Sequence, residues 1–97
     1  TGAALLAKTG LLDGKKATSN KQVFDWVAGV GPDVDWVRKA RWVIAGKYYT
    51  SSGVTAGMDM ALGFVRDMHG EKTARDIAQY IEYIWNRDPS QDPFCTG

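Results

Sequence analysis

The sequence predicts an α/β domain, or a piece of one, with elements in the order α-β-α-β-β-(β)-α-α. Two patterns lead there. Apolar residues recur at helical spacing over 23–27, 54–65 and 71–86, whereas 34–50 holds clustered β-formers in runs too short for helices. A hydrophobic share of 44% and a charged share of 24% are ordinary for a globular chain and argue against a disordered segment. Ninety-seven residues allow one small domain with a thin core, or part of a larger one.

Residues 3–8 are strong helix formers, and Gly10 can close that helix. Asp13 and Gly14 make a turn, and 16–19 reads as a short strand. Asn20 is a good N-cap for a helix with Val23, Phe24 and Val27 on one face, stopped by Gly29, Gly31 and Pro32. Val34, Trp36 and Val37, then Trp42–Ile44, then Tyr48–Thr50 give two or three short strands, part of them antiparallel. Ser51, Ser52 and Gly53 open the longest helical pattern. Its apolar residues, including Met58, Leu62 and Phe64, lie on more than one face, which predicts a helix buried on both sides. Gly70 ends it. A last helix is expected from Glu71 to about Asn86, with Ala74, Ile77, Ala78, Ile81 and Trp85 on one stripe. Residues 89–97 read as a tail after a domain spanning 1–88. The first helix starts at once and the long helix wants more cover than these strands supply. Both features point to a domain of which this chain is a part, and a first residue Thr1 in place of methionine points to a processed chain or a fragment.

Twelve basic and eleven acidic residues balance to +1, so composition makes no case for nucleic acid or an anionic membrane as partner. No apolar run approaches the ~20 residues of a spanning helix, and no signal peptide is visible. Cys95 is the sole cysteine, which excludes an internal disulfide and a cysteine-cluster zinc site and fits a cytoplasmic protein. His69 has no second ligand at metal spacing, so neither a metal nor another cofactor is expected.

Several strings in order carry a family resemblance. TGAALLAKTGLLDG at 1–14 is similar to the segment after the nucleophile elbow in the ThiJ/PfpI superfamily of class I glutamine-amidotransferase-like folds. The nearest branch contains isonitrile hydratases and the sensor-like domains of AraC-type regulators. KATSN at 16–20 resembles the strand that follows, and RWVIAGKYYTSSGVTAGMDMAL at 41–62 resembles the hairpin and the start of the penultimate helix. The resemblance covers 1 to about 88. It implies the C-terminal half of a flavodoxin-like α/β sandwich with a mostly parallel sheet. It also implies a reactive cysteine immediately before Thr1 and an acidic partner in the N-terminal half, so no catalytic residue stands in its normal place in this chain. The expected function is that of a cysteine-dependent hydratase or hydrolase acting on a small molecule. The rival is a non-catalytic ligand-binding or sensor module. The N-terminal half, or a second chain, is the expected partner, with homo-oligomers formed.

A thiolate at a helix N-terminus has a lowered pKa, and N–H groups there stabilise an anion, so Thr1 and Gly2 are the expected pocket and oxyanion residues. Asn20 falls where relatives of this branch carry a histidine. Asparagine accepts no proton at neutral pH, so Asn20 is a possible third site position but first of all a helix cap. Ser51, Ser52 and Gly53 read as caps sooner than as an anion site. Asp59 sits inside an apolar helix and needs a partner, either Arg41, Arg66 or backbone. Trp26, Trp36, Trp42 and Trp85 read as core or interface anchors, with Trp36 and Trp42 able to serve a dimer contact. Cys95, Thr96 and Gly97 repeat the elbow string. An elbow needs a strand feeding a helix, and here the string follows a proline-rich stretch, so Cys95 is a low-probability nucleophile.

Overall fold

The computed structural model describes residues 1–95. Helix α1 (Gly2–Lys8) leads through turns to strand β1 (Lys16–Ala17), a 3-10 turn (Lys21–Val23) and helix α2 (Phe24–Val30). Strand β2 (Asp35–Trp36), the hairpin β3 (Trp42–Ala45) and β4 (Tyr48–Ser51), then helices α3 (Val54–His69) and α4 (Glu71–Tyr80) complete the order. The fold is therefore α/β, as the pattern of residues predicts.

Strand β1 pairs in parallel with β2, Lys16 opposite Asp35 and Ala17 opposite Trp36. Strands β3 and β4 pair antiparallel, from Trp42 opposite Ser51 to Ala45 opposite Tyr48. The hairpin turns on Gly46 and Lys47, and Gly46 has φ +62, a conformation that favours glycine. The mostly parallel sheet is not complete among the described residues, where one parallel and one antiparallel pair stand side by side. A buried side-chain bond joins them, because the Thr18 N–H donates to Thr50 Oγ1 at 3.0 Å.

The first core gathers Ala7, Leu12, Ala17 and Val34, with Leu6, Trp36 and Tyr48 packed on it. Gly31 is required there. A Cβ on it would lie 2.7 Å from the Ala7 Cβ, so only glycine lets the end of α2 approach α1 so closely. The second core centres on Trp42, which is 1% exposed and lies against Gly63 of α3. Trp42 is thereby unavailable for the dimer contact expected of it.

Three element-level expectations are corrected. Strand β1 stops at Ala17, because Thr18 and Ser19 turn into buried hydrogen bonds. Helix α3 is not buried all round. Its buried positions are Ala56, Asp59, Leu62 and Gly63, while Met58 and Phe64 are half-exposed and Val54 is 90% exposed. Helix α4 ends at Tyr80 and not near Asn86. Glu82 adopts φ +57, and the chain beyond it turns its side chains onto Asp59. Hydrogen bonds to a buried carboxylate outweigh helix propensity there. The segment read as a tail is also tied down. The Arg41 N–H donates to the Pro89 carbonyl at 2.6 Å, and Asp92 is buried.

Candidate functional site

The N-terminus of α1 opens on a cavity of about 490 Å³. Thr1, Gly2 and Leu6 form one wall, Ser19 and Asn20 the next, and Ser51, Ser52 and Val54 the third. The expected pocket residues Thr1, Gly2 and Asn20 thus line one cavity with Ser51 and Ser52. These positions come from three separate places in the chain: the start of α1, the segment between β1 and the 3-10 turn, and the end of β4 with the loop before α3. The first turn of any α-helix leaves N–H groups without intrahelical partners. At Gly2 a Cβ would meet nothing within 4 Å, so that side of the cavity is open.

Asn20 does the capping work assigned to it. Its Oδ1 accepts the Gln22 N–H at 2.9 Å and starts the 3-10 turn. Ser51 and Ser52 do not cap α3. The N-cap is Gly53, without a side-chain bond, because Ser52 Oγ is engaged by Lys21.

Lys21 was not legible as a site residue. Its ammonium is within hydrogen-bonding distance of four segments: Thr18 Oγ1 and the Ser19 carbonyl, the Ala40 carbonyl, Ser52 Oγ at 3.0 Å, and Asp92 Oδ2 at 2.9 Å. A lysine beside an N-cap carries no sequence signal of such a position, since its acceptors are mostly remote in the chain. It fixes the loop before α3 against the end of β1.

Asp59 is fully buried and collects a second network. Arg41, not Arg66, is its cation. Arg41 Nε donates to Oδ2 at 3.1 Å, and a second guanidinium N–H donates to the same oxygen. The Tyr83 hydroxyl donates to Oδ1 at 2.8 Å, the Asn86 N–H to Oδ1 at 3.0 Å, and Trp85 Nε1 to the Asp59 carbonyl at 3.1 Å. Burial, followed by the bond to Asp59, pushes the Tyr83 phenol above its ordinary pKa. Arg41 extends this network toward the cavity, because its carbonyl accepts the Ser52 N–H at 2.7 Å. Tyr49, on the cavity wall, donates to Asp67 at 2.8 Å, and that bond raises its pKa.

His69 lies exposed at the far end of α3 and does not line the cavity. Cys95 is half-buried in a turn, and its N–H donates to the Asp92 carbonyl. Thr96 and Gly97, the rest of its elbow-like string, lie outside the described residues. Among the described residues no three His, Cys, Asp or Glu side chains gather as a metal site. No helix among them is long and apolar enough to cross a membrane.

A mixed α/β core with a polar-walled cavity at the first turn of α1 defines a small α/β domain of the kind the opening strings resemble. The chain belongs to the DJ-1/PfpI family, whose sequence profile matches residues 1–67. It is similar to an isonitrile hydratase of Pseudomonas putida, 35% identical over 83 residues that cover 86% of this chain and 35% of that protein. It is also similar to the HTH-type transcriptional regulator CdhR of Pseudomonas aeruginosa, 32% identical over 93 residues that cover 95% of this chain and 27% of that protein. The chain therefore spans about a third or less of the length of these curated relatives.

Proposed function

We propose that this chain supplies one side of the small-molecule pocket of a cysteine-dependent DJ-1/PfpI protein of the hydratase or hydrolase type. The nucleophile in this reading is a cysteine immediately before Thr1. The observation that carries it is the convergence of Thr1, Gly2, Asn20, Ser51 and Ser52 on one cavity at the N-terminus of α1. A thiolate placed there meets the positive end of the helix and its unpaired N–H groups, which favour the anion and the negative charge developing on a bound substrate. Gly2 keeps the approach open, and the Thr1 hydroxyl offers a hydrogen bond to the ligand. The similarity to an isonitrile hydratase supports a small neutral substrate such as an isonitrile.

The protein works, in this reading, as a cytoplasmic homo-oligomer in which the N-terminal part of the domain, or a second chain, completes the fold. The exposed apolar side chains of α3 support such a cover. A second reading, a sensor module without catalysis, is favoured by the similarity to a transcriptional regulator and by Asn20, which has no basic nitrogen.

Gly2→Val and His69→Ala in the whole protein that carries this chain test the placement. Among the described residues a Cβ at Gly2 meets nothing within 4 Å, so valine there is accommodated by this chain and intrudes on the pocket, and the far-UV circular dichroism and thermal midpoint of each variant check that the fold is kept. We expect kcat/KM for an isonitrile to fall about 100-fold with Gly2→Val and to stay at the parental value with His69→Ala. Equal losses from the two would refute the placement. Ligand binding without turnover in the parent would decide for the sensor.

A further inference from the structure

The Lys21 ammonium is enclosed by the chain. Five oxygens lie around it: Thr18 Oγ1 at 3.4 Å, the Ser19 carbonyl at 3.2 Å, the Ala40 carbonyl at 3.2 Å, Ser52 Oγ at 3.0 Å and Asp92 Oδ2 at 2.9 Å. The Phe24 ring stands 5.5 Å away, within reach of a cation–π attraction. An ammonium has fewer N–H donors than there are oxygens here. Its charge, as well as its hydrogen bonds, therefore draws these groups to one point.

Two of these oxygens belong to walls of the cavity at Thr1 and Gly2. Ser19 stands beside Asn20 on one wall, and Ser52 beside Ser51 on another. Lys21 does not line that cavity. It lines a second one, of about 560 Å³, that shares Asn20 and Ser52 with the first. The amine thus lies behind the walls and not among the groups that would meet a ligand. Its counter-charge is firmly placed. Asp92 is buried, and its other oxygen accepts the Phe94 N–H at 3.0 Å. Nearby, the Pro89 carbonyl accepts the Arg41 N–H at 2.6 Å. A segment remote in sequence therefore holds the ammonium against the back of the cavity.

We propose that Lys21 is a positioning residue for the cavity at Thr1 and Gly2: its ammonium, held by Asp92, sets the spacing between the Ser19–Asn20 wall and the Ser51–Ser52 wall. The proposal rests on the functional reading above and deepens it, since reaction at the start of α1 depends on where these walls stand. None of the oxygens around the ammonium belongs to the third wall, Thr1, Gly2 and Leu6, which supplies an internal reference.

The test uses the whole protein that carries this chain, with Lys21→Ala and Lys21→Arg. Propylammonium supplies the carbons and nitrogen that alanine removes, and the second cavity is its way in. Propan-1-ol, of the same length and uncharged, is the control. Amide hydrogen exchange is read at Thr18, whose N–H donates to Thr50 Oγ1, at Ser52, whose N–H donates to the Arg41 carbonyl, and at Leu5, whose N–H donates to the Thr1 carbonyl. Turnover of butyl isonitrile is measured per folded molecule, with the folded fraction taken from circular dichroism. In Lys21→Ala, exchange at Thr18 and Ser52 should rise about tenfold with Leu5 unchanged, and kcat should fall about 10–100-fold. Propylammonium should reverse both effects, and propan-1-ol neither. Lys21→Arg keeps a cation opposite Asp92 and so keeps the fold, but a planar guanidinium cannot replace a compact ammonium among these oxygens. It should speed exchange at Ser52 and lower kcat about tenfold, and it decides alone if Lys21→Ala does not fold. Unchanged exchange, equally faster exchange at all the amides, an undiminished kcat per folded molecule, no rescue by propylammonium, or equal rescue by propan-1-ol would each overturn the proposal. A parent that does not turn over the isonitrile, with the exchange pattern and its rescue as expected, would remove the functional reading and keep Lys21 as the residue that sets the walls.

Discussion

Asp59→Ala is the substitution that should cost this fold most. The carboxylate is fully buried, and its removal leaves the Arg41 guanidinium, itself nearly buried, without a counter-charge. It also strips the acceptor from the Tyr83 hydroxyl and the Asn86 N–H. Breaking a buried ion pair by deleting one partner costs about 3–5 kcal/mol. Domains of this size have roughly 5–15 kcal/mol in total, so the variant should be close to unfolding. At about 4–8 °C per kcal/mol the midpoint of thermal unfolding should drop on the order of 15–30 °C. Urea titration followed by tryptophan fluorescence reads the effect directly, since Trp42 and Trp85 flank the network. Asp59→Asn keeps an acceptor for Tyr83 and Asn86 but not the charge, and should lose less. An Arg41/Asp59 double-mutant cycle should return a coupling of about 0.5–3 kcal/mol. A loss below about 1 kcal/mol in Asp59→Ala, the size of an exposed pair, would refute the reasoning.

Gly31→Ala should lower stability by about 1–3 kcal/mol, because the new methyl group meets the Ala7 Cβ and α2 must move away from α1; unchanged urea midpoints would contradict that close approach. Tyr83 makes stability depend on alkaline pH. Its folded pKa is raised above the ordinary phenol value of about 10, so its contribution is whole below about pH 10 and is lost as pH rises through the folded value. Stability should therefore fall on the alkaline side, and Tyr83→Phe should flatten that decline while lowering stability at neutral pH. The contribution of Tyr49 has the same sign and stays in both proteins. An identical slope in wild type and Tyr83→Phe between pH 9 and 11 (about the phenol range) would refute the assignment.

The parts of the fold legible in the sequence are those fixed by local chemistry. Gly46 marks the hairpin turn, Gly70 the break between α3 and α4, and Asn20 its own cap, each through interactions with neighbours in the chain. The strings around Thr1–Gly14 and Arg41–Leu62 carried the family. What stayed illegible depends on contacts distant in sequence. The stripe of Ile77, Ile81 and Trp85 reads as one helix, yet Trp85 and Asn86 reach back 26 and 27 residues to Asp59 and end it early. Lys21 and Asp92 are 71 positions apart, and neither has a local pattern to mark it. For Asp59 the need for a partner was readable from its apolar surroundings, while the choice of Arg41 over Arg66 required the hairpin to be folded. The exposure of Val54, Met58 and Phe64 marks the limit of periodicity, which shows that a face is apolar and not what covers it.

The proposal that the N-terminus of α1 holds a reactive thiolate is the centre of this reading. Its most direct test is the pH dependence of iodoacetamide labelling in the whole protein that carries this chain, read at the residue before Thr1 by peptide mass spectrometry. The account predicts a cysteine at that position whose labelling has a midpoint well below the ordinary thiol value of about 8.5, and a midpoint that rises toward it in Gly2→Val. A different residue at that position, or a cysteine that titrates at the ordinary value in both proteins, would contradict the account.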